Sequence, residues 1–297
     1  MFTYLENLAG SNKPLRRLLP LAVIAALIWA WALWPRTSAL RVTFLDVRQG
    51  DCALIQTPGG KTVLIDAGGG GGYDVGSRVV APFLRRNGIR DLDLVVMTHP
   101  HEDHIGGMPG VLENEGVERI MDCGVAGKSE AYDEVTKAAR ERGIGYIHAH
   151  RGQRVSFPDG VTMDVLSPGN EPLGGESDLN DNSVVLRLKY RDVSFIFAGD
   201  AGSDEEEDIL RNCRDLRSTA LKVAHHGSNS ATSELWLRAV RPRVAIISVG
   251  RNNQFHLPSP STLSRLAAVG ARVFRTDRDG GITVTTDGTK MDVATTR

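Results

Sequence analysis

The chain has 297 residues, 41% of them apolar and 24% charged, which is ordinary for a globular protein and excludes a disordered one. Its net charge of −1 hides an asymmetry: residues 211–297 carry 14 Lys/Arg against 6 Asp/Glu, so the first 210 carry 21 against 30, and the two parts are +8 and −9. Three widely spaced cysteines, Cys52, Cys123 and Cys213, with no Cys-x-x-Cys pair, exclude a disulfide framework and a cysteine-based metal site and read as core residues.

Residues 18–34 carry no charge, are rich in Leu, Ala, Ile and Trp, follow Lys13, Arg16 and Arg17, and end at Pro35-Arg36. The segment is at the short end for a spanning helix, and Trp29, Trp31 and Trp34 suit an interfacial anchor. It reads as a signal anchor within an N-terminal stretch of residues 1–39. A cleaved signal peptide ending near Thr37-Ser-Ala39 is the alternative. The basic flank before the segment predicts a cytoplasmic N-terminus and a globular part, residues 40–297, that faces outward; Arg36, Arg41 and Arg48 run against that orientation.

Strands at 40–45, 52–56 and 61–65 are expected to form a meander, with Pro58-Gly-Gly60 as its last turn. The Gly-Gly-Lys-Thr at 59–62 is not a phosphate loop, because Ile55 stands where an earlier glycine is needed and a strand follows. The glycines at 68–72 read as a mobile loop, or as the lining of a substrate approach. A helix near 74–87 leads to a buried strand at 92–97. Further helices are expected near 110–116, 130–142, 204–212, 233–240 and 261–269. Further strands are expected near 117–121, 161–166, 183–190, 193–197, 220–224, 244–249, 272–275 and 281–285. The acidic run Asp204-Glu-Glu-Glu-Asp208 reads as a solvated first helical turn suited to the helix dipole. Strand-rich halves with their own helices predict two sheets packed face to face with helices outside.

The strand at 92–97 ends in Thr98-His-Pro-His-Glu-Asp-His-Ile-Gly-Gly107, which places three imidazoles and two carboxylates within six residues. His99 and His101 are two apart and can converge on one ion, leaving Asp103 and His104 to face a second. Imidazole suits zinc and other borderline metals and carboxylate suits harder ones, so a mixed set is the makeup of a catalytic site. Three other apolar runs also end in chemically loaded residues: Asp66-Ala-Gly68, Ala198-Gly-Asp200 and His225-His226-Gly-Ser228.

The order Asp-Ala-Gly, His-x-His-x-Asp-His, Gly-Asp, His-His-Gly resembles the metallo-β-lactamase superfamily of metal hydrolases, which implies an α+β fold, a four-layer αββα sandwich. Asp46-Val-Arg-Gln-Gly-Asp51, Asn180-Asp-Asn-Ser183, Phe197-Ala-Gly-Asp200, Leu221-Lys-Val-Ala-His-His-Gly-Ser228 and Phe255-His-Leu-Pro-Ser259 are similar to the extracytoplasmic hydrolase domain of ComEC-type competence proteins. The resemblance implies two divalent ions, Zn2+ or Mn2+. His99 and His101 would hold the first, and Asp103, His104 and His225 the second. Asp200 would bridge them, Asp66 would orient the loop beneath, and His226 would point at substrate. The superfamily's further histidine falls here on Asn180–Ser183, so an oxygen from Asp181 or Asn182 would serve the first site and favour a harder ion such as manganese. Lys222 would neutralise a phosphate and His256 would donate a proton or hydrogen bond. On residue type alone these two are a snorkelling surface lysine and a loop histidine.

Two ions activating a shared water suit phosphodiester hydrolysis, and the basic C-terminal part suits an anionic polymer, although a solvated arginine-rich surface explains it equally well. The expected function is that of a membrane-anchored extracytoplasmic nuclease of the DNA-uptake type, with DNA or another phosphodiester as substrate. A small-phosphoester hydrolase acting on envelope polymers and a non-catalytic DNA-binding partner of a separate channel are the alternatives.

Overall fold

Val63-Leu64-Ile65 and Leu94-Val95-Val96 are unbroken apolar runs, and alternation sends their side chains to opposite faces. Val63, Ile65, Leu94 and Val96 enter one core, and Leu64 and Val95 enter another. Strands of this kind need cover on both faces, and a layered architecture provides it. The computed structural model describes residues 39–70, 72–174 and 179–297, preceded by residues 20, 23–25 and 29.

In chain order the first half contributes β1 (Leu40–Phe44), β2 (Ala53–Gln56), β3 (Thr62–Ile65), α1 (Ala81–Arg86), β4 (Asp91–Leu92), β5 (Leu94–Val96), α2 (Glu102–Ile105), α3 (Met108–Asn114), β6 (Gly116–Val117), β7 (Arg119–Asp122), α4 (Glu130–Arg142) and β8 (Gly145–His148). The second half contributes β9 (Arg154–Ser156), β10 (Thr162–Ser167), β11 (Val185–Tyr190), β12 (Val193–Phe197), α5 (Ser203–Asn212), β13 (Ala220–Lys222), α6 (Glu234–Val240), β14 (Val244–Ile247), α7 (Pro260–Ala268), β15 (Arg272–Arg275), α8 (Thr276–Asp279), β16 (Ile282–Thr286) and β17 (Met291–Thr295).

One sheet has the order β17-β16-β1-β2-β3-β5-β7-β8, antiparallel up to β3 and parallel from there. The other has the order β15-β14-β13-β12-β11-β10-β9, parallel up to β12 and antiparallel beyond. Val42, Phe44, Ile55, Met163, Leu186 and Phe195 join the core between the sheets, where Phe44 and Phe197 stack at 5.9 Å. The first sheet's other face is covered with Leu84, Val111 and Val135 of α1, α3 and α4. The second sheet's other face is covered with Ile209, Leu237 and Leu266 of α5, α6 and α7. The layers therefore run helix, sheet, sheet, helix, a metallo-β-lactamase fold of mixed α and β structure.

Three expectations need amendment. The strand at 92–97 divides, with β4 pairing to β6 in a separate ribbon and β5 entering the main sheet. The acidic run is not a solvated turn, because Glu205 and Glu206 are buried on the inner face of α5. Glu206 accepts Thr232 N at 2.5 Å and Ser233 N at 2.9 Å, at the entry to α6. The glycine run begins in close packing: a Cβ on Gly69 would lie 2.5 Å from Gly106 Cα.

The chain divides into two units, Met1–Ser38 and Ala39–Arg297. The membrane segment expected over residues 18–34 lies outside the described residues, apart from 20, 23–25 and 29. No helix among the described residues is long and apolar enough to cross a membrane.

Candidate metal centre

Four strand ends build the site. Asp66 follows β3 in a left-handed backbone (φ 56°) and is fully buried. Its Oδ1 accepts Thr98 N at 2.8 Å, and its Oδ2 accepts Thr98 Oγ1 at 2.7 Å and lies 2.8 Å from His104 Nδ1. With Nδ1 engaged by Asp66, His104 presents Nε2 to the site, 3.2 Å from Asp200 Oδ1. Three and five residues beyond β5, His99 Nε2 and His101 Nδ1 converge to 2.9 Å, and His99 Nε2 is 4.0 Å from Asp200 Oδ2.

Asp200 leaves β12 through Gly199, whose φ of 52° and close approach to Ser183 require a residue without a Cβ. Beyond β13, His225 and His226 both adopt left-handed backbone, φ 50° and 52°. Such strain concentrates at functional sites. It directs the two rings apart. His226 is buried, with Nδ1 2.9 Å from Ser248 O and Nε2 3.0 Å from Asp103 Oδ2 and 3.6 Å from Asp200 Oδ2. His225 Nε2 is 3.8 Å from Asp200 Oδ2, and its side chain is 30% exposed. Asp103, His104, Asp200 and His226 thus offer donor atoms that all lie within 4.8 Å of one another. Of the pair, His226 falls within this donor cluster, and His225 approaches Asp200 from beside it.

Charge balance in the cluster suits a cation. Burial drives His99 well below the ordinary histidine range, so its imidazole is neutral with a lone pair available. Burial opposes the charge on His104 and His226 as well, but Asp200 and the neighbouring carboxylates outweigh it, holding His104 well above the ordinary range and raising His226 to about 10. Asp200 is held well below the carboxylate range, because His104 and His226 overcome its burial. His104 Nε2 and Asp200 Oδ1 are buried and face each other at 3.2 Å, with no other hydrogen-bond partner for either, so both can turn to a shared ion. Four mixed nitrogen and oxygen donors around such a gap fit a divalent ion.

Other expected residues sit differently. Lys222 is buried against Asp51, to which it donates, and it also donates to Gly199 O at 3.2 Å. It neutralises a buried carboxylate behind the metal loop instead of facing the cleft. Asn182 uses both ends of its amide on Leu173, accepting from its N at 2.8 Å and donating to its O at 2.9 Å, and Asp181 Oδ1 accepts Gly202 N at 2.9 Å. Asn182 therefore braces the loop before it. His256 is exposed, next to Phe255 on the cleft wall. Asp51, part of the Asp46–Asp51 motif but given no role from sequence, also takes part: its N donates to Asp103 O at 3.1 Å, and its Oδ1 lies 3.4 Å from His226 Nδ1. Its sequence signals were that motif and its place directly before a buried strand.

Beside Asp103 opens a cleft of about 420 Å³ lined by Arg48, Gln49, Gly69, Tyr73, Glu102 and Phe255, among others. The Arg48 guanidinium lies 4.4 Å from the Tyr73 ring centroid.

Fold and donor set together define a metal-dependent hydrolase, and the chain belongs to the metallo-beta-lactamase superfamily, whose family profile matches residues 45–251. It is similar to ComE operon protein 3 of Bacillus subtilis (strain 168), with 34% identity over 81% of this chain and 32% of that protein. It is similar also to Competence protein ComA of Neisseria gonorrhoeae, with 30% identity over 81% of this chain and 31% of that one. The chain therefore spans about a third of the length of these relatives. Among solved structures, Igni18, a metallo hydrolase of Ignicoccus hospitalis, shares the fold with a TM-score of 0.53 and 15% identity over 84% of this chain and 98% of that one.

Proposed function

We propose that this hydrolase cleaves phosphodiesters, with DNA as the substrate, and that it acts from a membrane anchor on the outer side of the cytoplasmic membrane. The observation that carries the reading is the cleft beside Asp103, where a guanidinium, Arg48, and two aromatic rings, Tyr73 and Phe255, line the approach to the donor cluster. Cations pair with phosphate, and aromatic faces stack on bases, so the cleft suits a polymer that presents both. The names of the competence relatives support the same substrate class.

In this reading His99, His101 and Asp200 hold one divalent ion, and Asp103, His104, Asp200 and His226 hold the other. Zinc and manganese both suit the donors. When bound, such ions activate water near neutral pH and offset charge on phosphoryl oxygens. Asp66 keeps His104 turned to the site. Asp51 and Lys222 fix the back of the Asp103 and Gly199 loops. His225, half-buried and held below the ordinary histidine range by that burial, is the neutral imidazole that hydrogen-bonds the substrate at the mouth, with His256 beyond it.

Release of nucleotides from single-stranded DNA, lost in Asp103→Ala and in Asp200→Ala, is the expected result. Purified protein with two ions bound that leaves DNA intact while hydrolysing a small phosphodiester would sink the nuclease reading and favour small phosphoesters.

A further inference from the structure

At the end of the domain away from the metal centre, six arginine and lysine side chains and two carboxylates, Asp192 and Asp215, line a hollow of about 420 Å³. Arg187 is committed to the protein, donating to Asp215 O at 2.5 Å and Arg217 O at 2.9 Å. Lys189, Arg217 and Arg243 are exposed, and among the described residues no carboxylate pairs with them. Unpaired cations gathered in a hollow make a site for anions.

The position of the hollow bears on which anion it takes. Leu40, where the chain enters the first sheet, pairs with Thr286 in β16. In the turn that follows, Asp287 O accepts from Arg191 Nη1 at 3.1 Å and Gly288 O accepts from Asp192 N at 2.9 Å. Arg191 and Asp192 are themselves part of the basic hollow. The entry point and the hollow therefore share one end of the domain, opposite the strand ends that carry Asp66, Asp200 and His226. Residues 35–39 alone separate the charge-free segment from Leu40, a tether of about 20 Å even when fully extended.

We propose that this hollow docks on the phosphate headgroups of an anionic lipid surface, a proposal that rests on the membrane-anchoring reading above. A short tether holds this end near the bilayer, where lysines and arginines are attracted to anionic lipid within a Debye length of about 8 Å. Guanidinium groups match phosphate, and among the described residues no aromatic side chain lines the hollow to stack on bases. A nucleic acid bound here would also lie on the far side from the metal centre. Docking orients the domain so that the metal cleft opens away from the membrane.

The test is hydrogen exchange on the full chain, reconstituted in vesicles of phosphatidylcholine alone or with about one third phosphatidylglycerol. The expected result is that backbone amides of residues 189–192, 215–219 and 241–243 gain protection only with phosphatidylglycerol. The Lys189→Glu/Arg217→Glu/Arg243→Glu variant is expected to lose that protection while floating with the vesicles as before. Equal exchange in the two lipids would overturn the docking surface and leave the anchor standing. Protection by a DNA oligonucleotide in place of phosphatidylglycerol would overturn it in favour of a nucleic-acid site. Failure of the full chain to float with phosphatidylcholine vesicles would remove the anchor, and the docking surface with it.

Discussion

His225 and His226 are adjacent, both strained into left-handed backbone, and their rings serve different purposes because only His226 is buried among carboxylates. His226→Ala is therefore expected to lose one equivalent of bound metal by elemental analysis. His225→Ala is expected to keep both equivalents and turn over more slowly; the reverse pattern would return His225 to the metal. Lys222 and Asp51 form an ion pair buried on both sides. Lys222→Met leaves the carboxylate uncompensated and is expected to cost about 3–5 kcal/mol in denaturant unfolding. Pairing it with Asp51→Asn is expected to restore more than half, whereas an unrelieved loss in the double variant would mean that Lys222 acts elsewhere. In the metal-free protein His226 is raised from 6.5 to about 10 by Asp200, Asp103 and Asp51 against its burial. A raised histidine stabilises the fold fully below 6.5, and that contribution is lost as pH climbs through about 10. The melting temperature in chelator is accordingly expected to fall from pH 7 to 10. Added manganese, which takes the place of the protons, is expected to raise it more at the higher pH. A metal-free melting temperature flat across that window would contradict this account of the cluster.

The turn from β1 to β2 locks the metal loop through Gly50, whose φ is 127° and where a Cβ would fall 2.1 Å from Asp103 O. Gly50→Ala must displace either the turn or α2, so its expected effect is loss of metal at the Asp103 site with the sheets intact by circular dichroism. Unchanged metal content would show that the loop is not clamped there. At this scale the strands that carry the site were legible, because β3, β5, β12 and β13 are short apolar runs that end in Asp, His or Gly-Asp. The edge strands β8 and β17 were not legible. Gly145-Tyr-Ile-His148 and Met291-Asp-Val-Ala-Thr295 are only half-buried or exposed and have no run of inward residues to mark them. Helix α2 spans four residues of the metal loop, too short for any periodicity to show. Glu205 and Glu206 were misread because composition cannot tell which face of a short helix turns inward. The pairing of Asp51 with Lys222 spans 171 positions and two sheets, and only the assembled fold brings them together. For the same reason sequence identified the pair at 225–226 without fixing which ring enters the cluster.

Across the whole molecule, the sandwich separates its chemistry by end. Strand ends from both sheets place carboxylates and imidazoles around one gap, where Asp200 of the second sheet meets His99 and His104 of the first. The two half-sites exist only when the sheets pack, so the large core between them, Phe44 against Phe197 included, is also what sets the spacing of the donors. The opposite end carries the exposed cations and the entry of the chain. We propose that this gap holds divalent ions which make the protein a phosphodiesterase acting on DNA. The most direct measurement strips the full chain of metal, reloads it with zinc or manganese in steps, and follows nucleotide release from single-stranded DNA beside hydrolysis of a small chromogenic diester. The account predicts no cleavage in chelator, activity that returns as two equivalents bind, and no return in Asp200→Ala. Protein that binds two equivalents and leaves both substrates uncut would contradict it.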